Sequence, residues 1–197
     1  MKKYKLTNET IVYFGITLYR IEALMDFSDV KTGDKGGFVQ SENNLSQLGN
    51  AWVYGNAKVY DNAEVYGNAK VCGDAKVCGD AKVCGDAWVY GDAMVYGNAK
   101  VCGNAKVCGD ADVYGKAEVR GDAKVYKNSD YIVFKNWWSS GRYFTWTRSN
   151  NMWKVGCFYG NGEELIKKAY ADSEESGREY ERVVRYVENI LADELNK

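Results

Sequence analysis

The chain has 197 residues, 46% of them apolar, a formal charge of −1 and no histidine. That length holds one compact body with end pieces and does not require two independent domains. Charge is balanced locally too, since residues 1–49, 50–127 and 128–197 each come within one charge of neutral; no segment has the cationic excess of a nucleic-acid or anionic-membrane surface.

Residues 1–48 are β-rich and broken by turns. Tyr4–Leu6, Thr10–Phe14 and Ile16–Ile21, with Gly15 between the last two, predict a hairpin or small sheet. Ile16 and Leu18 share one face while Tyr19 and Ile21 share the other, so the alternation does not separate a wet side from a dry one. After a polar, Gly-rich loop, Phe38-Val39-Gln40 predicts a first irregular rung of the repeat that starts at Gly49, and Leu45 stands six residues before Ala51, in phase with it. The basic start Lys2-Lys3-Tyr4-Lys5 never develops the apolar run of a signal peptide, and no stretch reaches the length of a membrane span. The expectation is a cytoplasmic protein with no membrane partner.

From Gly49 to Tyr126 one hexapeptide is written thirteen times, beginning Gly49-Asn50-Ala51-Trp52-Val53-Tyr54. In an extended backbone Ala and Val, two apart, point one way and the variable residue between them points the other. Ala and Val therefore line a core, while Tyr or Cys, Gly, and Asn or Asp supply a corner that needs positive φ. One such strand cannot bury its own apolar face, so the units must stack into a β-solenoid spanning residues 49–127.

Val53 with Ala57, Val59 with Ala63, and each later pair set an aliphatic residue four before a small one. In this the chain resembles the left-handed parallel β-helix of hexapeptide-repeat proteins. The resemblance implies a triangular prism, three hexads or eighteen residues per coil, wound left-handed against the usual crossover rule. The family's best-known activity is acyl transfer from a CoA or acyl-carrier donor, with a histidine as general base. This chain has no histidine, and no loop interrupts its thirteen hexads. The closer resemblance is to uncharacterised bacterial and phage members labelled acyltransferases by fold analogy, and the phage type implies interference with a host process, an anti-defence or anti-CRISPR role.

Eighteen-residue columns can be read directly. Asp74, Asp92 and Asp110 share one, and oxygen ligands at that spacing would suit calcium; their corner role beside variable-position lysines is the preferred reading, so no metal and no cofactor are expected. Five cysteines, at 72, 78, 84, 102 and 108, replace the corner Tyr, which is neither a disulfide framework nor zinc spacing. Cys84 and Cys102 fall in one column with Cα atoms about 5 Å apart; free thiols are expected in a reducing compartment.

Residues 128–197 change period. Tyr131–Phe134, Arg142–Arg148 and Met152–Tyr159 predict a meander, then one helix led by Asn161 with Glu164 and a second beginning at Ser176-Gly177-Arg178-Glu179. The second carries an apolar stripe of Tyr180, Val183, Val184, Val187, Ile190 and Leu191 that must dock on the meander. Trp137, Trp138, Tyr143, Phe144, Trp146, Trp153, Phe158 and Tyr159 are expected to fill that α+β cap rather than to stack bases.

The reading is a mainly β protein, a capped β-helix that binds another protein without catalysis, an inhibited host protein being the concrete version. The site is placed on the wall bearing Trp52, Lys70, Trp88, Lys106 and Lys124, one column, with Tyr54 and Tyr90 on the corner beside it. Tryptophans on a solvated strand wall lack a core to fill and have the composition of an interface. The competing explanations are that the N-terminal segment covers Trp52 or that copies of the chain meet here as a homo-oligomer. Rival functions are a degenerate acyltransferase and a polymer-forming β-helix such as a bactofilin, the latter opposed by the two caps.

Overall fold

In the computed structural model, which describes residues 2–195, thirteen two-residue strands run from Trp52–Val53 to Lys124–Val125, each formed by the variable residue and Val of one hexad. Met1 and residues 196–197, the ends of the two expected end segments, lie outside the described residues. The strands pair in parallel with the strand eighteen residues on, as Trp88 does with Lys70 and with Lys106. Three walls result, carrying Phe38, Lys58, Lys76, Met94 and Asp112 (wall A), Glu64, Lys82, Lys100 and Glu118 (wall B), and Trp52, Lys70, Trp88, Lys106 and Lys124 (wall C). This is the expected parallel β-solenoid, with about 5 turns. Every hexad Ala and Val is at most 1% exposed, Val77 and Val101 included.

The corners are set by backbone conformation. Gly85 has φ 68°, and a Cβ there would lie 2.9 Å from the stacked Gly103 nitrogen, so at this corner the coil spacing leaves no room for a side chain. The third hexad puts Asp61 in the same slot at φ 57°. Its strain is offset by a bond that a glycine could not make, because its carboxylate accepts from Gly79 N of the next coil.

Leu45 corrects the expected phase. It pairs with Val65, and Val39 with Val59, so the first coil spans twenty residues and Leu45 fills a Val slot, not an Ala one. The surplus lies between Leu45 and Val53, where Gln47 Oε1 accepts from Lys3 N at 2.9 Å and so ties the chain start to the coil.

Hydrogen bonding along the solenoid has a net direction, although the parallel strands exchange bonds both ways. At the strand ends and corners each coil donates N–H groups to the carbonyls of the next, as Tyr54 N does to Val71 O and Lys100 N to Ala117 O. The first coil is thus left with spare carbonyls and the last with spare N–H groups, and both need partners. At the first end the partners are donors: Lys3 Nζ to Ala51 O (2.8 Å), Asn44 Nδ2 to Ala63 O (2.9 Å) and Arg20 Nη1 to Gly36 O (2.8 Å). At the last end they are acceptors: Asn128 Oδ1 from Asp112 N, Thr145 Oγ1 from Glu118 N, Ser149 Oγ from Lys124 N and Asp130 Oδ2 from Tyr126 N.

Lys3 is 3% exposed, and burial pushes its ammonium down to about 8. Unfolded, it would titrate at about 10.4. Between these values the unfolded chain holds a proton that the fold has lost, so Lys3 makes stability rise with pH across that window. Relative to Lys3→Met, the parent should gain roughly 2–3 kcal/mol between pH 7.5 and 10 in denaturant titrations. A difference that stays flat over that range would show that Lys3 keeps its proton.

The N-terminal hairpin, Tyr4–Tyr13 with Ile16–Ala23, turns at Phe14-Gly15, both at positive φ, and continues wall A through Lys35–Val39. Its loop carries Phe27 and Val30 to the open end of the core, where Tyr4 and Ile21 join them.

At the other end, strands Tyr131–Lys135, Tyr143–Thr147, Met152–Val155 and Phe158–Gly160 form an antiparallel meander. Helices α1 (Gly162–Asp172) and α2 (Glu174–Leu195) cover it. Asn161 and Glu164 make the expected reciprocal capping box. The second helix begins earlier than Ser176: Ser173 Oγ accepts from Ser176 N, and Gly177 lies against the Tyr170 ring with no room for a Cβ. Val183, Val184 and Val187 are buried with Phe144, Trp146, Trp153, Leu165 and Ile166. Trp137 departs from its expected core role at 78% exposure, because Asn136 is fully buried and bonded to Ser139 and only one of two adjacent tryptophans can then turn inward.

Cys84 and Cys102 are also corrected, being joined as a disulfide with Cα atoms 4.7 Å apart. Direct stacking of two corner cysteines brings their Sγ atoms into bonding range. No helix among the described residues is long and apolar enough to cross a membrane.

Candidate functional site

Wall C divides into a covered half and an open half. Trp52 is 1% exposed, with Tyr4 and Phe27 edge-on to it at 6.0 and 5.4 Å, so it serves as the plug of the N-terminal cap and cannot contact a partner. That overturns its place in the expected site. Lys70 is not free either: Asp29 of the same cap lies 2.8 Å from its Nζ and takes the Tyr54 hydroxyl at 2.9 Å. These bonds, that of Lys70 foremost, hold the Asp29 carboxyl down at about 2, while burial and Asp29 push the Tyr54 phenol well up.

The open half centres on Trp88, 40% exposed in the middle of a rigid parallel sheet. Lys70 Nζ and Lys106 Nζ lie 5.4 and 5.5 Å from its ring, above and below it along the column, in cation–π range. Tyr90 meets it edge-on at 6.4 Å. The Tyr90 phenol is pushed up to about 12, first by its hydrogen bond with Cys108 and then by burial. Tyr126, 52% exposed, continues the same corner column. Of the residues named from sequence, Trp88, Tyr90, Lys106 and Lys124 are thus brought together and accessible.

Wall B differs in kind. On wall B, Lys82 pairs with Glu64 at 2.9 Å and Lys100 with Glu118 at 3.4 Å, which closes its charges internally. On wall C, Lys106 and Lys124 have no carboxylate within 4.0 Å among the described residues, so a partner can supply one. Sequence reasoning missed two further features. Trp137 projects from the cap, and its adjacent Trp138 was the available signal. Cys157, which lies outside the repeat, lines a cleft of about 280 Å³ with Cys102, Arg120 and Lys154. Among the described residues no three His, Cys, Asp or Glu side chains converge as a metal site, and the Asp74–Asp92–Asp110 column does not form one.

A repeat profile described as the YdcK beta-solenoid repeat matches residues 87–103, the coil that holds Trp88 and Cys102. Over 62 residues the chain is 36% identical to a protein of Escherichia coli (strain K12) named "Uncharacterized acetyltransferase YdcK", covering 27% of this chain and 19% of that one. The chain therefore matches about a fifth of the relative's length, and the likeness is one of repeat architecture.

Proposed function

We propose that this hexapeptide-repeat β-helix protein is a non-catalytic binding solenoid whose open half of wall C grips another protein. The observation that carries the reading is the setting of Trp88, a half-exposed indole held between two lysines on a hydrogen-bonded parallel sheet. A pre-ordered aromatic loses little conformational entropy on binding and forms the centre of an interface, with Tyr90, Lys106 and Lys124 around it. Inhibition of a host protein, the role implied by the resemblance to phage solenoids, is the concrete form of this reading.

Trp88→Ala should lower retention of the partner from a lysate of the native host at least tenfold, as expected of a central aromatic worth more than about 1.4 kcal/mol. Loss of a homo-oligomer on a sizing column would place a second copy on the wall instead. Full retention and unchanged elution by Trp88→Ala and Lys106→Glu alike would remove the wall from consideration. Trp137 would then be the better anchor, on the strength of its 78% exposure.

The name of the Escherichia coli relative raises acetyl transfer as the second reading. A chain without histidine has no imidazole base to offer an acceptor. Acetyl-CoA is accordingly expected to give no saturable heat in calorimetry at protein concentrations of about 50 μM, a range that detects micromolar binding. Saturable binding, or thiol release from acetyl-CoA in the presence of an amine acceptor, would reinstate the enzyme.

A further inference from the structure

Of the corner columns, only one stacks two cysteines. Cys72, Cys78 and Cys108 each have tyrosines one coil above and below, whereas Cys84 and Cys102 are successive and joined, and Arg120 takes the same corner at the next coil. The column runs along the solenoid axis, so the bond from Cys84 to Cys102 points toward the C-terminal cap. At that end stands Cys157, exposed, in the turn between the last two meander strands.

The turn is pinned over this column. Tyr159, two residues past Cys157, donates its hydroxyl to Arg120 O at 3.2 Å and packs directly on Gly121. On the other side, Lys154 donates to Gly156 O, where φ of 54° makes the bend that presents Cys157. Cys157 and Cys102 consequently open onto one cleft, which Arg120 and Lys154 also line. The cleft's cations are shared with a single carboxylate, Glu118, which lies 3.1 Å from Arg120 and 3.7 Å from Lys154.

We propose that Cys157 and the Cys84–Cys102 disulfide form an intramolecular thiol–disulfide exchange site. Cys157, after losing its proton to solvent, attacks Cys102 Sγ across the cleft that both residues line. The Cys102–Cys157 bond forms as the Cys84–Cys102 bond breaks, and Cys84 leaves as a thiolate that takes a proton from solvent. No electrons enter or leave, so no outside oxidant or reductant is required. The exchange moves a covalent staple from between two coils to between the solenoid and its cap. Arg120 and Lys154 stabilise the anionic sulfur as charge passes along the column. This holds whatever wall C binds.

The test is peptide mapping without reduction. Wild-type protein is incubated at pH 8 with a mixture of reduced and oxidised glutathione, quenched in acid and alkylated. The expected result is a peptide pair linked through Cys102 and Cys157, with matching loss of free Cys157 and gain of alkylated Cys84. In Cys84→Ser, treated with oxidised glutathione, the Cys102–Cys157 pair should become the main disulfide, and Cys157→Ser should lack it. The wild-type measurement stands even if Cys84→Ser folds poorly. Appearance of the pair in either preparation supports the site. A Cys157 that is fully alkylated in wild type, with no Cys102–Cys157 pair in Cys84→Ser, overturns it.

Discussion

Trp52→Ala should cost the fold about 3–5 kcal/mol, whereas Trp88→Ala, two coils along the same column, should cost under about 1 kcal/mol. Both residues occupy the variable position of a hexad, and both pair with Lys70. Their difference is entirely tertiary. Trp52 is buried under Tyr4 and Phe27, and its loss leaves a cavity between the first coil and the N-terminal cap that the paired strands cannot collapse to fill. Trp88 has solvent on its outer face, and its removal gives up only part of one ring's contacts with Lys70, Tyr90 and Lys106. Urea titration of the two variants beside the parent measures the contrast. Equal and small losses would mean that the N-terminal cap does not rest on Trp52.

That contrast also marks how far the sequence carries. Ala and Val could be assigned to the core residue by residue, because an eighteen-residue coil places each hexad in the same environment as the one above it. The columns came from the same arithmetic, down to the stacking of Cys84 on Cys102; what was misjudged was the chemical state, since a compartment argument was set against a geometry that brings the Cα atoms to 4.7 Å. Outside the repeat, each local pattern had competitors. Ser176 and Glu179 have capping-box spacing, yet the helix begins at Glu174, since Ser173 caps it instead, its Oγ accepting from Ser176 N. Leu45 looked like an Ala-phase residue because a two-residue surplus further on cannot be counted without knowing that Gln47 is held by Lys3. Of the candidate site, the open half was legible as a column. The covered half was not, because Asp29, which occupies Lys70 and Tyr54, lies 41 and 25 residues from them in a loop without periodicity.

Val184→Asp should separate the cap from the solenoid. Val184 is 1% exposed, packs against the start of α1 at Gly162, and belongs to the cluster containing Phe144 and Trp153. A carboxylate there has no cation within the cluster to pair with, and an uncompensated buried charge costs several kcal/mol, more than a cap of this size is able to absorb. The consequence reaches the solenoid through hydrogen bonds. Thr145 and Ser149, which accept from Glu118 N and Lys124 N, belong to the meander and its turn, so when the meander loosens the last coil regains bare ladder donors. Bare parallel edges join other chains. The expected outcome is an early melting step that the parent lacks, together with concentration-dependent association on a sizing column. Val184→Ala, which removes volume without charge, should lower the melting temperature and keep the protein monodisperse, because the cap stays docked. If Val184→Asp melts like the parent, α2 does not hold the meander down; if it melts early but never associates, Asn128 and Asp130, on the segment just before the meander, suffice to close the last coil by themselves.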